Sequence, residues 1–183
     1  MFDEAYHPLL GVGAKAAGSL SEDQLRALVT VTSAPDPRRL ATLVEVMKVE
    51  GDLHTELGQL DAAYVRYRRA LALACDLADS RDGLPDPGVA AELAERLGDY
   101  DLPGRVRLQL CRLYEALGRY ADAEDELFEA IDDRPDDDAI VDAGIAFYQR
   151  LLALDPERLV AGNLPRPEAE ASLAELLRRA VSE

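Results

Sequence analysis

GDLHTELGQLDAAYVRYRRALAL, Gly51 to Leu73, and CRLYEALGRYADAEDELFEAI, Cys111 to Ile131, are two copies of one pattern. Aligned on Gly58 and Gly118, Leu60 meets Tyr120, Ala63 meets Ala123, Tyr67 meets Leu127 and Ala70 meets Ala130. The order is a small residue, a turn glycine, then large, small, large and small. Glycine frees the backbone to turn, and alanines at helical spacing let two backbones approach closely. The pattern predicts two antiparallel helices joined by a tight turn, written twice.

The rest of the chain agrees with a helical reading. Period-2 alternation is nearly absent, and apolar residues recur at i, i+3, i+4 and i+7. Asp36-Pro37, Asp86-Pro87 and Arg166-Pro167 place proline where it opens a helix, with aspartate as a natural N-cap in the first two. Ser21 with Gln24 fits a capping box. The predicted map has short helices near 3–17 and 21–32, a hairpin of 37–57 and 60–80, and an inserted helix near 88–98. A second hairpin of 104–117 and 120–133 follows, then helices of about 138–154 and 168–181. The expectation is one all-α domain over residues 1–183. Capping helices occupy 1–35, the first hairpin 37–80, an insert 81–103, the second hairpin 104–133, and an irregular third hairpin or C-terminal cap 138–183.

Composition narrows the function classes. The chain has 183 residues and a net charge of −16. Residues 1–70 hold ten acids and eight bases, whereas residues 71–183 hold 26 and 12. A field of that sign repels phosphate backbones and anionic headgroups, so neither nucleic acid nor a membrane surface is an expected partner. No apolar run approaches the roughly 18–20 residues that span a bilayer. The opening MFDEAYHPLL lacks the basic segment of a secretory signal, and a cytoplasmic protein is expected. Cys75 and Cys111 are too few for a disulfide framework and read as buried free thiols.

The paired pattern resembles the tetratricopeptide repeat. That resemblance implies an α-α superhelix of antiparallel helical hairpins, which here carries one inserted helix and irregular caps. The turn glycines lie 60 residues apart, against about 34 in adjacent repeats, and the 76–103 stretch supplies the excess. Further strings are similar to a family of uncharacterised bacterial proteins of unknown function. They are SLSEDQLRALV at 19–29, GDLHTELGQ at 51–59, LYEALGRYADAEDELFE at 113–129 and FYQRLLALDPERLVAGNLPRPEAEASLAEL at 147–176. This second resemblance implies no activity.

In tetratricopeptide repeats the first helix of each hairpin lines a concave groove. Carried across, the groove positions are Glu45, Lys48, Asp52, Thr55 and Glu56, then Arg105, Leu108, Arg112, Glu115 and Ala116. Each set shares one helical face. Mixed charge suits a polar peptide, and an ordinary solvated face is the alternative. Repeats that grip a terminal carboxylate pair a lysine with an asparagine; Asp52 stands where the asparagine would, which argues against that specialisation. In the loop Gly162 to Glu168 (GNLPRPE), two prolines stiffen the backbone. Arg166 is thereby either presented to a partner or part of a rigid seat for the last helix.

Other motifs carry less. Asp132, Asp133, Asp136, Asp137 and Asp138 lack the register of a calcium loop and read as a solvated connection with an N-cap. His54 falls at a packed aromatic position, and no Cys/His cluster offers a zinc site. Tyr114 and Tyr120 fall on structural positions, leaving Tyr6, Tyr100 and Tyr148 for an interface. No nucleophile elbow, phosphate loop or dinucleotide fingerprint occurs. The expectation is a non-enzymatic protein–protein interaction module without cofactor or metal. It binds a protein or peptide through Lys48, Asp52, Thr55, Arg105, Arg112 and Glu115, with Arg166 as a loop contact. The alternative is a self-assembling helical protein such as a homodimer.

Overall fold

Asp36 accepts hydrogen bonds from the Arg38 and Arg39 amides, and with Pro37 in the first turn it starts the longest helix of the chain. The same device, Asp86 before Pro87, starts another, and Ser21 and Gln24 form a complete capping box at a third. A computed structural model describes residues 2–31, 34–80, 83–84 and 86–181. It is all-helical apart from one two-residue antiparallel bridge pairing Thr30 with Pro35 and Val31 with Ala34. The chain forms two compact units, Met1–Asp101 and Leu102–Glu183.

In the first unit the order is α1 (Phe2–Leu10), α2 (Ala14–Ser19), α3 (Glu22–Val29), α4 (Pro37–Glu56), α5 (Leu60–Ala78) and α6 (Pro87–Gly98). The single helix expected near 3–17 is broken in two. Gly11 takes φ +72°, a left-handed conformation that ends α1, and the Asp3 carboxylate accepts from the Ala14 amide at 2.6 Å to start α2. Part of the connection from Ser80 to Pro87, and the last residue of the helix expected at 21–32, lie outside the described residues. The helices α4 and α5 form the first hairpin. Leu43, Met47, Tyr67, Leu71, Leu93 and Leu97 are fully buried in this unit.

In the second unit α7 (Gly104–Ala116) and α8 (Tyr120–Asp133) form the second hairpin, followed by α9 (Asp138–Leu152), α10 (Pro156–Ala161) and α11 (Arg166–Val181). The short α10 falls inside a stretch the sequence reads as a loop. Six residues with a proline at the first turn carry too little periodicity to be seen. The polypeptide around Gly162 packs on the hairpin turn: its carbonyl accepts from the Ala121 amide at 3.0 Å. A side chain there would meet Tyr120 and the Gly118 carbonyl at 2.3 and 2.6 Å, so only glycine fits.

The two turns are the same motif. The Gly58 and Gln59 amides donate to the Thr55 and His54 carbonyls at 2.9 and 2.8 Å; those of Gly118 and Arg119 donate to Glu115 and Tyr114 at 3.0 and 2.9 Å. Both glycines are left-handed, with φ +69° and +73°. This is the Schellman arrangement, in which one left-handed residue satisfies the last helical carbonyls. Ala63, Ala70, Ala123 and Ala130 are all wholly buried, as their small size at the seams requires.

Candidate binding groove

In the first unit, the expected groove positions of α4 are tied into an internal network. Lys48 Nζ lies 3.1 Å from Asp52 Oδ2 and 2.7 Å from Glu92 Oε2 of α6. Asp52 Oδ1 accepts from Tyr67 Oη at 2.8 Å and from Arg96 Nε of α6 at 2.9 Å. Thr55 Oγ1 donates to the Gly51 carbonyl and lies 3.1 Å from Tyr67 Oη. Lys48 and Asp52 are one helical turn apart, as are Glu92 and Arg96, so the two helices present opposite charges in matching order. Burial pushes the Asp52 carboxyl up, but hydrogen bonds from Tyr67, Lys48 and Arg96 outweigh it and hold it below its usual range. Burial likewise pulls Lys48 down, and Glu92 and Asp52 overcompensate. Glu45 and Glu56 are exposed, Glu45 at the edge of a small cavity of about 140 Å³ beside Thr42 and Val89.

The second unit has an open groove at the corresponding place. Arg105, Leu108 and Arg112 of α7 face Ala143, Ala146 and Arg150 of α9 across a cavity of about 440 Å³. Cys111, Leu127 and Phe147 contribute buried apolar surface to it. The repeat alignment explains the difference between the units. Leu108, Arg112 and Leu127 stand where Lys48, Asp52 and Tyr67 stand in the first copy. An aliphatic pair with a long exposed arginine cannot form the charged lattice that draws α6 onto α4.

Glu115 is bound to α9. Both its oxygens accept from Arg150, at 2.8 and 2.7 Å, the fork geometry that suits a guanidinium and a carboxylate. Arg105 is exposed and has no ion-pair partner among the described residues. Ala116 is exposed and lies outside the lining. The Cys111 thiol is pushed up to about 12, chiefly by burial and then by Glu115, so it stays protonated at neutral pH. The structure therefore brings Arg105, Leu108 and Arg112 together at one cavity, with Glu115 at its margin. Lys48, Asp52 and Thr55 form a separate cluster in the other unit.

The α9 side of the groove, Ala143, Ala146, Phe147 and Arg150, was not among the sequence candidates. Its signal was present: these residues recur at three- and four-residue spacing on a helix read as the opening member of a third hairpin. Glu92 and Arg96 were missed because their role depends on which helix lies opposite them.

Arg166 turns back on its own unit. Nη2 donates to the Leu152 and Leu154 carbonyls at 2.9 Å each, and Nη1 lies 3.8 Å from Glu170. It thereby satisfies carbonyls at the end of α9 from the first turn of α11. Two tyrosines expected at an interface are instead core residues: Tyr6 and Tyr148 are 1% and 0% exposed. Each donates to a buried glutamate at 2.6 Å, Glu50 and Glu124 respectively. The hydrogen bond satisfies the hydroxyl, which allows the ring to be buried. Tyr100 packs against Tyr64 and Tyr67, at ring-centroid distances of 5.3 and 6.3 Å. His54 is half-buried, with Nδ1 2.6 Å from Gln59 Oε1 across the first turn.

Residues 40–181, most of the chain and parts of both units, match a family of unknown function, DUF6483, and the protein belongs to that family. Neither a curated protein nor a solved structure matches the chain. Among the described residues, no helix is long and apolar enough to cross a membrane.

Proposed function

We propose that this protein is a non-enzymatic interaction module that binds a peptide segment or helix in the α7–α9 groove. One observation carries the reading: a cavity of about 440 Å³ with apolar walls and arginines at its edge, between two helices that contribute matching faces. That volume lies within the roughly 300–1,000 Å³ of ligand sites. Helix-in-groove recognition uses such an apolar trough with polar margins. The repeated Schellman turns and alanine seams support a tetratricopeptide-like scaffold, and the acidic chain suits a cytoplasmic setting. Selection of binders from a random peptide library, repeated on an Ala146→Gln variant, tests the proposal. Ala146 is half-buried at the groove, and a glutamine there fills the trough without adding charge. Peptides that bind the native chain and lose the variant support the reading; peptides indifferent to the substitution overturn it.

Self-association is the second reading. Leu57 and Leu60 flank Gly58 at 60% and 55% exposure, whereas Tyr120, the counterpart of Leu60, is covered by the Gly162 segment. Exposed apolar residues of this kind are suited to contact between copies. Sedimentation over a wide concentration range tests it, and a monomer throughout excludes it.

A further inference from the structure

We infer that the occupant of the α7–α9 groove is an acidic amphipathic helix, with carboxylates two turns apart on either side of an apolar residue; this rests on the groove being the binding site. The chain as a whole has 36 acidic and 20 basic residues. The described residues lining this cavity invert that balance: Arg105, Arg112 and Arg150 are present, and no aspartate or glutamate is. Arg150 is held by both oxygens of Glu115 and Arg112 makes interactions within the protein, whereas Arg105 is exposed without an ion pair among the described residues. A local positive margin on a strongly negative protein selects against a basic ligand at the groove and favours carboxylates there.

The spacing specifies the ligand further. Arg105 and Arg112 are seven residues apart on one helix face, about 10 Å along the axis. Half-buried Leu108, Ala143 and Ala146 supply the accessible apolar surface between them, over a floor of buried Leu127 and Phe147. A helix laid along α7 matches this with acids at i and i+7 and a leucine-like residue at i+3 or i+4. The first unit contains an intramolecular analogue of this recognition. There α6 is held on α4 by Glu92 on Lys48 and Arg96 on Asp52, charges spaced by helical turns on both partners.

Two fluorescein-labelled helical peptides of about fifteen residues provide the test, using the full chain. Both carry the leucine face; one has glutamate at i and i+7, and the other has glutamine at those positions. The expected result is that the glutamate peptide binds about tenfold more tightly at low salt and loses that advantage as salt rises. Arg105→Glu removes the preference, and Ala146→Gln weakens both peptides, with Ala143→Gln as a second block from the adjacent turn. Equal binding of the two peptides, with both weakened by the blocks, overturns the acidic ligand and leaves the groove intact as a binding site. Binding that neither block affects, or none at all, overturns the groove reading together with this inference.

Discussion

A methyl group on Gly51 would lie 2.4 Å from Cε1 of Tyr67. The glycine of α4 and the ring of α5 thus share one space, and Tyr67 is 1% exposed. In the second copy the same pair is Cys111 and Leu127: the small member has grown and the large one has shrunk. Volume is conserved across the seam although neither residue is. Gly51→Ala should destabilise by about 1–3 kcal/mol through overpacking, partly offset by about 1 kcal/mol of helix propensity. Tyr67→Leu alone loses a hydrogen bond to Asp52 and leaves a cavity. The double variant imitates the second copy, so a urea-denaturation cycle should give a favourable coupling of about 1 kcal/mol. Strict additivity would contradict the shared-volume account.

Asp52 and Glu124 should make opposite contributions to the pH dependence of stability. Asp52 is held below the usual carboxyl range, so its contribution is present above the ordinary aspartate pKa near 3.9 and is lost as pH falls through the depressed value. Glu124 is raised, first by burial and against hydrogen bonds from Tyr148 and Ser172, with Glu168 and Asp125 adding to the rise. Its proton is held more tightly in the fold, so stability from this group is full at low pH and declines as pH rises through the raised value. Glu124→Gln should therefore be at least as stable as the native chain at pH 7 and lose that slope, while Asp52→Asn flattens the acid limb below about pH 4. Chemical denaturation between pH 3 and 8 measures both; a Glu124→Gln variant that keeps the native slope above the ordinary glutamate range contradicts the assignment.

Arg166→Ala removes donors from two helix-end carbonyls, and each such bond contributes about 1 kcal/mol. A loss of about 1–2 kcal/mol is expected, with lysine recovering only part because it lacks the planar fork. Peptide affinity, measured where the variant is fully folded, should be unchanged. Weakened binding without lost stability would restore Arg166 as a partner contact.

Cys111 should be inert in the native chain. With its thiol near 12 against about 8.5 in an unfolded chain, its thiolate fraction at pH 8 falls by about three orders of magnitude. Disulfide-exchange reagents should label it only as the protein unfolds. Rapid native labelling of Cys111, separated from Cys75 by peptide mapping, would show that the groove wall opens.

Most helices were legible because their causes are local. Asp36-Pro37, Asp86-Pro87, Ser21 with Gln24, and the two turn glycines each act within a few residues of themselves. The break at Gly11 was not, because it depends on Asp3 reaching the Ala14 amide. At the groove, Arg105, Leu108 and Arg112 could be read from one helix by carrying the repeat pattern across. Their partners on α9 could not, since helix periodicity marks a face without saying what lies opposite. The same gap separates Lys48 and Asp52 as sequence candidates from the Glu92–Arg96 pair that engages them in the folded unit.

Amide chemical-shift mapping of the full chain, titrated with a library-selected peptide, tests the central claim most directly. The account predicts perturbations concentrated in Arg105–Arg112 and Ala143–Arg150, with Leu57–Leu60 and the Lys48–Asp52 cluster unmoved. Perturbations centred on the first unit, with the α7 and α9 faces silent, would contradict it.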